Sequence, residues 1–175
     1  MTRPLVVLVG PPGAGKSSVG RGVAVARGTT FRDTDDDVAL AAGKSIPEVF
    51  VDDGEAVFRA AERAAVADAL QTHPGVLALG GGAVLDEGAR ELLRGHCVVF
   101  LDVSLAAAVP RVGLARDRPL LLGSPRAQLK QLMDQRRPWY EQVATASVDT
   151  SELGLDEVVT QVLAVLDEPL GRGRA

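Results

Sequence analysis

The feature that most constrains this chain is a glycine-rich loop at residues 10–18, GPPGAGKSS, which directly follows the apolar run LVVLV. Gly10, Gly15, Lys16 and Ser17 meet the pattern G-x-x-x-x-G-K-[ST]. In such a loop the backbone N–H groups point inward around phosphate oxygens, and a Cβ would obstruct the turn or the ligand. The pattern therefore predicts a site for the phosphates of a nucleoside triphosphate.

Each group of the loop has an expected partner. The helix that begins at Lys16 directs its N-terminal amides at the anion, the Lys16 ammonium lies near the β- and γ-phosphates, and the Ser17 hydroxyl is a ligand for Mg²⁺. The alternative is an accidental glycine turn, which the strand–loop–helix context disfavours. The loop does not indicate which molecule receives the γ-phosphate.

Length and composition suit one domain with a real core. The chain has 175 residues, 46% of them hydrophobic and 3% aromatic, so alanine, valine and leucine must fill most of the core. A net charge of -4 gives no indication of a nucleic-acid or membrane partner. We see neither a signal-peptide pattern nor a run of membrane-spanning length, so we expect a cytoplasmic protein. The single cysteine, Cys97, is expected to be a small core residue.

Strands and helices are predicted to alternate along the chain. Strands are expected at residues 5–9, 29–36, 75–79, 97–103 and 146–150. Helices are expected at residues 16–27, 44–50, 54–72, 87–94, 105–114, 125–143 and 155–166, with an interruption or turn near Pro138. This alternation predicts a three-layer α/β/α P-loop NTPase fold with a central parallel sheet of about five strands. Ligands of such sheets bind at the carboxyl ends of the strands.

The motif DTD, residues 33–35, is expected at the end of the second strand. Carboxylates two residues apart point to the same side of a strand and diverge where it ends. One of them could lie beside the metal through water, while the other accepts a hydrogen bond from a substrate hydroxyl. The alternative is a solvated acidic turn, since Asp36 and Asp37 follow.

Further motifs supply arginines and glycines. Arg59 and Glu62 fit either an exposed ion pair or an arginine that binds a carboxylate while Glu62 braces it. The glycines at residues 80–82 indicate either a close backbone approach to a ligand or a flexible turn. Arg118 lies in RDRPLL, which is either a lid over the phosphates or a solvated basic loop. Arg136 offers another arginine on a helix.

In combination these motifs resemble those of shikimate kinases, in the same order and spacing from about residue 5 to residue 149. They are the glycine-rich loop, DTD, F…GE..FR..E, LGGGA, RPLL and R.P.Y..VA. The loop alone is generic, whereas the combination of the others is specific. The resemblance implies transfer of the γ-phosphate of ATP to the 3-hydroxyl of shikimate, with Mg²⁺, in the pathway to chorismate and aromatic amino acids. It also implies a monomer whose partners are these small molecules.

The resemblance implies a role for each site residue. Asp35 would bind the reacting hydroxyl as base or orienting group, Asp33 would lie near Mg²⁺ through water, and Lys16 and Arg118 would stabilise the phosphoryl group. The residues implied for ATP are Gly13, Ala14, Gly15, Lys16, Ser17, Ser18, Arg111 and Arg118. Those implied for shikimate are Asp35, Phe50, Phe58, Arg59, Glu62, Gly81, Gly82 and Arg136.

The same resemblance implies a single kinase domain over residues 1–175, similar to nucleoside-monophosphate kinases. Its core would span about residues 4–166, with substrate-binding helices at about 36–62, a lid at about 112–124 and a frayed tail at about 167–175. Trp139 stands where the family usually has leucine, and we expect its indole to pack, with crowding of Arg136 as the alternative. Adenine contacts near residues 150–156 stay open, because the basic residue or proline frequent there is absent.

Two other classes of function compete with this interpretation. Another small-molecule kinase, for gluconate or a nucleotide, would share the loop but would not need DTD, FR..E and RPLL together. A P-loop switch of the GTPase kind would require N-K-x-D, and the sequence contains no asparagine. An LSGGQ signature of ABC ATPases is also absent.

Overall fold

The computed structural model describes residues 2–113 and 124–168, and strands alternate with helices along both ranges. The strands are β1 (Val6–Val9), β2 (Phe31–Asp33), β3 (Val76–Ala78), β4 (Val98–Asp102) and β5 (Ala146–Asp149). The helices are α1 (Lys16–Ala26), α2 (Thr34–Ala42), α3 (Ile46–Asp52), α4 (Glu55–Thr72), α5 (Glu87–Leu92), α6 (Leu105–Arg111), α7 (Pro125–Val143) and α8 (Leu155–Asp167). A 3₁₀ turn covers Ala83–Leu85.

The strands form one parallel sheet in the order β2-β3-β1-β4-β5. Side chains of β1 alternate between two cores, because successive residues of a strand point to opposite faces. Val6 and Leu8 pack with residues of α1 and α8, while Val7 and Val9 pack with residues of α4, α5 and α7. The predicted α/β fold with helices on both faces of a parallel sheet is confirmed.

A third, smaller core joins α2, α3 and α4 beside the sheet. It consists of Val38, Val49 and Phe58, all nearly inaccessible to solvent. Helix α3 begins with a capping box in which Ser45 and Glu48 exchange hydrogen bonds. This packing places α2 and α4 next to the carboxyl ends of β2 and β3.

Three local expectations are corrected. The DTD motif does not lie wholly on a strand, because Asp33 ends β2 and caps α2, accepting a hydrogen bond from Asp35 N at 3.0 Å. Helix α7 continues through Pro138. Contacts hold the helix on both sides of the proline, because Arg137 before it binds Asp102 and Tyr140 after it is buried. Cys97 is only partly buried, and burial raises the pKa of its thiol.

Some sequence-based expectations lie outside the described residues. These are Arg118 with the RDRPLL motif, most of the expected lid, and the tail from residue 169 onward. Of the helices that the structure describes, none combines the length and the apolar character needed to cross a membrane.

Candidate active site

The glycine-rich loop joins the central strand β1 to α1 at the carboxyl edge of the sheet. Gly15 adopts a φ of 88° immediately before the helix, in the left-handed region that side-chain-bearing residues rarely enter. This conformation turns the chain so that the first amides of α1 face the loop interior. The loop therefore has the geometry of an anion site at a helix N-terminus.

The Lys16 amine lies inside the loop. Its Nζ donates hydrogen bonds to Gly10 O at 2.7 Å and to Pro11 O at 3.2 Å. Burial lowers the pKa of Lys16 to about 8; the Asp35 and Asp33 carboxylates act in the opposite direction, and Arg136 lowers it further. Among the described residues, the hydrogen-bond partners of the amine are carbonyl oxygens, which a phosphate can replace.

A cavity of about 510 Å³ opens from this loop. Every residue from Gly13 to Ser18 lines it, with Asp33 and Asp35 among the other lining residues. Its lining also includes Arg111, Thr150, Leu153, Leu155 and Val158. The Arg111 guanidinium donates to Gly13 O at 3.2 Å and to Thr150 O at 2.8 Å, and so ties the loop to the end of β5.

Asp33 connects the loop to the first turn of α2. Its Oδ2 accepts a hydrogen bond from Ser17 Oγ at 2.7 Å, while its Oδ1 caps α2. The next carboxylate, Asp35, is partly buried, and this burial, together with the negative charges of Asp33 and Glu62, raises its pKa to about 6. A carboxylate with such a pKa is suited to accept a proton near neutral pH.

The glycines after β3 make room for side chains of the site itself. A Cβ on Gly80 would collide with Asp35 Oδ1 and lie 2.8 Å from Glu62 Oε1. A Cβ on Gly82 would collide with Arg59 Nη1 and lie 2.9 Å from Arg59 Cζ. Because Gly80 and Gly82 have no Cβ, Asp35 of α2 can approach this backbone segment. Arg59 and Glu62 of α4 approach the same segment.

The Arg59–Glu62 pair is not the exposed ion pair that was considered as an alternative. Arg59 Nη1 donates to Glu62 Oε2 at 2.7 Å, and the Glu62 side chain is only 4% exposed. The guanidinium also lies 5.2 Å from the centre of the Phe58 ring. Arg59 Nε also lies 3.5 Å from Glu55 Oε1, so two carboxylates and an aromatic ring hold the guanidinium.

Arg59 and Arg136 line the same cavity of about 350 Å³ between α4 and α7. The other lining residues are Glu55, Leu85, Gln128, Gln131, Leu132 and Gln135. A Cβ on Gly81 would lie 3.4 Å from Gly10 O and 3.5 Å from Arg136 Nη1, so Arg136 of this second cavity lies near the start of the glycine-rich loop. Two guanidinium groups that share a cavity form a strong site for a small anion.

Comparison with known proteins agrees with this geometry. A family model described as shikimate kinase matches residues 12–167. This chain belongs to the shikimate kinase family.

Individual relatives are close along nearly the whole chain. A shikimate kinase of Salinispora arenicola is 56% identical over 163 residues, which are 93% of this chain and 98% of that protein. The structure of a shikimate kinase from Acinetobacter baumannii in complex with shikimate superposes with a TM-score of 0.85 at 32% identity, covering 95% of this chain and 93% of the other. A gluconokinase from Sinorhizobium meliloti reaches a TM-score of 0.57 at 25% identity, covering 92% and 90%. The P-loop NTPase-like fold is thus confirmed, and the likeness to shikimate kinases is stronger than that to the gluconokinase.

Three aromatic residues at family positions have defined surroundings. The rings of Phe50 and Phe58 lie 4.4 Å apart, and Phe58 is buried with Val38 and Val49, whereas Phe50 is 36% exposed. The Trp139 indole lies 4.0 Å from the Arg90 guanidinium, which confirms that it packs against a neighbouring element. Arg90 in turn donates to carbonyl groups of the 3₁₀ turn.

Sequence reasoning left the adenine contacts near residues 150–156 open and did not single out the individual lining residues there. Thr150 could have been found from its place at the carboxyl end of a predicted strand. Leu153, Leu155 and Val158 carry no motif, and only the packing of the β5–α8 connection brings them to the cavity. In the second cavity, Leu132 lies four residues before Arg136 on α7, so helical spacing from that arginine would have indicated it. Gln128, Gln131 and Gln135 are not three or four residues from Arg136, so only the packing of α7 against α4 reveals that they line the cavity.

Proposed function

We propose that this protein is a shikimate kinase, which transfers the γ-phosphoryl group of ATP to the 3-hydroxyl of shikimate to give shikimate 3-phosphate and ADP. The observation that carries the proposal is the position of Asp35 between a phosphate-binding loop and a pair of arginines. A small acid with several hydroxyl groups needs both an acceptor for its hydroxyl proton and cations for its carboxylate. Family membership and the likeness to a shikimate kinase in complex with shikimate support the same substrate.

The proposed nucleotide site is the 510 Å³ cavity. The loop amides and Lys16 would bind the phosphates, and the Lys16 ammonium would balance the negative charge that spreads over the transferred group. Arg111, which is fixed between the loop and β5, would face the base together with Leu153, Leu155 and Val158. These side chains offer a cation and an apolar surface to the flat adenine ring.

The residues beside the loop fit Mg²⁺. Ser17 Oγ and Asp33 Oδ2 are hard oxygen donors 2.7 Å apart. The described residues contain no group of three or more histidine, cysteine, aspartate or glutamate side chains placed to hold a metal ion, which agrees with a metal that takes most of its ligands from phosphate and water. Ser17 would bind the ion directly and Asp33 through water, and the bound ion would supply positive charge to the phosphates.

The proposed acceptor site lies around Gly80, Gly81 and Gly82. Arg59 and Arg136 would bind the shikimate carboxylate in the cavity that they share, which leaves the hydroxyl groups toward Asp35. Asp35 would accept the proton of the 3-hydroxyl as its oxygen forms a bond to phosphorus and the bond from phosphorus to the ADP oxygen breaks. Glu62 would brace Arg59, the Gly81 amide would hold a substrate oxygen, and the aromatic pair Phe50–Phe58 would wall the pocket.

Other parts of the chain complete the proposal. The whole chain would act as one kinase domain, with substrate-binding helices at about residues 36–62 and a lid at about 112–124. Arg118 of this lid would stabilise the transferred phosphoryl group. We also propose a monomer that works in the cytoplasm, where ATP is plentiful; light scattering of the purified protein tests the oligomeric state.

The decisive experiment is coupled ADP release with shikimate, gluconate and AMP offered side by side. We expect turnover with shikimate. At equal concentration, turnover with gluconate or AMP should be lower by about a hundredfold or more, because neither molecule places a hydroxyl and a carboxylate at the required separation. Preferential turnover of gluconate or AMP would instead support the alternative of a different small-molecule kinase. ADP release without any acceptor would indicate an ATPase.

A further inference from the structure

The middle residue of the DTD motif has a partner of its own. Thr34 is fully buried, and its Oγ1 accepts a hydrogen bond from the Gly80 N–H at 3.1 Å. Its neighbours on either side have other contacts, since Asp33 binds Ser17 and Asp35 lies against the Cα of Gly80. Thr34 therefore joins the start of α2 to the glycine segment after β3.

A second hydroxyl, on helix α7, binds the same segment. The Tyr140 hydroxyl donates a hydrogen bond to Gly81 O at 2.6 Å. The Tyr140 ring is buried and stacks on Phe100 with ring centres 5.1 Å apart. Burial also raises the pKa of Tyr140 to about 12, so the phenol keeps its proton and remains a donor at neutral pH.

These two hydrogen bonds restrain a backbone that has no side chains to restrain it. Three consecutive glycines have a large conformational freedom, and a defined position for them must come from partners outside the segment. With both partners in place, the Gly81 N–H finds no acceptor among the residues that the structure describes. That donor is free for a ligand, in a segment that also contacts Asp35 and Arg59.

We propose that Thr34 and Tyr140 are positioning residues that hold residues 80–82 in the geometry needed to bind the phosphoryl acceptor. The inference rests on the proposed function, because it assigns the two hydroxyls to the acceptor half of that site. Neither hydroxyl has a described contact with the glycine-rich loop, so their loss should leave nucleotide binding nearly unchanged. A merely structural role would affect both substrates alike.

The test compares Thr34→Val, which keeps the shape and removes the hydroxyl, with Thr34→Ser, which keeps the hydroxyl. The KM values for shikimate and for ATP are measured separately in the full chain. We expect Thr34→Val to raise the KM for shikimate about tenfold, because the buried Gly80 N–H loses its acceptor and the segment shifts. The KM for ATP should change by less than about twofold, and Thr34→Ser should restore the KM for shikimate to within about threefold of wild type.

Tyr140→Phe provides a second arm, since the phenyl ring still packs on Phe100 and the variant loses only the hydroxyl that binds Gly81 O and interacts with Arg136. It should produce the same selective rise in the KM for shikimate. Because the Tyr140 hydroxyl also interacts with Arg136, Thr34→Ala takes the place of Thr34→Val if the valine variant does not fold. Equal rises in both KM values, an unchanged KM for shikimate, or a serine variant as impaired as the valine variant would each overturn the inference. A wild-type protein that does not phosphorylate shikimate would refute the proposed function itself, whereas an active wild type with unaffected variants refutes only the positioning role.

Discussion

Arg59 and Glu62 form an ion pair in which the carboxylate is almost completely enclosed. Arg59 Nη1 lies 2.7 Å from Glu62 Oε2, and the side chains are 23% and 4% exposed. Burying an ionised carboxylate at that depth costs free energy unless a cation is paired with it. The arginine that we propose for acceptor binding therefore also contributes to the stability of the fold.

Replacing Arg59 should have two separable effects. Arg59→Ala should lower the free energy of unfolding by about 3 kcal/mol, because Glu62 is left buried without its cation. It should also raise the KM for shikimate by about tenfold or more. Denaturant unfolding and steady-state kinetics measure the two effects.

Two controls distinguish these effects. Arg63→Ala breaks a more exposed pair with Asp86 and should cost less than about 1 kcal/mol, with no effect on the KM for shikimate. The double variant Arg59→Ala/Glu62→Gln should regain most of the lost stability but not the affinity for shikimate. If the double variant also recovered affinity, Arg59 would not be a shikimate ligand.

Asp35→Asn should lower kcat by about a hundredfold or more, because the amide cannot accept the hydroxyl proton. ATP binding should change little, and Asp36→Asn, at the exposed neighbouring position, serves as the matched control. In the wild type, kcat/KM for shikimate should fall as the pH decreases through about 6, where the carboxylate of the free protein becomes protonated. A flat profile between pH 5 and pH 7 would remove Asp35 from the role of base.

The same carboxylate should reduce stability above its pKa. Its pKa in the folded state is raised above the ordinary value, so ionisation favours the unfolded chain as the pH rises from about 4 to 6. We therefore expect Asp35→Asn to be more stable than wild type at pH 8 and to lose this advantage below about pH 4. Thermal unfolding of both proteins across this range provides the measurement.

Lys16 should take up a proton when ATP binds near pH 8. Its lowered pKa of about 8 leaves a fraction of the amine neutral in the free protein, and the phosphates favour the charged form. Titration calorimetry in buffers of different ionisation enthalpy should detect uptake of up to about half a proton at pH 8. Lys16→Arg, which is always protonated, should show less uptake, and equal uptake by both proteins would assign the proton to another group.

Gly82→Ala should displace Arg59 without straining the backbone. Gly82 has φ -94° and ψ -4°, which alanine adopts readily, but the new Cβ would collide with the Arg59 guanidinium. We expect a rise in the KM for shikimate of about tenfold and a loss of stability of up to about 3 kcal/mol, because Arg59 Nη1, the atom that would collide, is also the atom that pairs with the buried Glu62. Gly81→Ala, whose Cβ would find no heavy atom closer than 3.4 Å, should have a weaker effect on KM. A crystal structure of Gly82→Ala with Arg59 in its present position would contradict this explanation.

Much of the site could be predicted because its residues lie in short motifs at strand ends. The glycine-rich loop follows β1 and DTD begins at the last residue of β2, and the parallel sheet brings such strand ends to one edge. The start of α2 could not be placed from composition, because one side chain, Asp33, both ends the strand and caps the helix. The continuity of α7 at Pro138 was likewise hidden, since it depends on contacts of Arg137 and Tyr140 with distant elements.

The sequence by itself determined the alternation of strands and helices apart from α2, the phosphate-binding loop and the family, because these depend on local patterns of residue type and spacing. Only the tertiary structure decided what the three glycines accommodate, that Glu62 is buried and that Thr34 and Tyr140 bind one backbone segment from two helices. Those relationships join residues far apart in the chain, and their distances are set by the packing of α2, α4 and α7 around the sheet. Spacing along the sequence contains no information about such distances until the helices are packed.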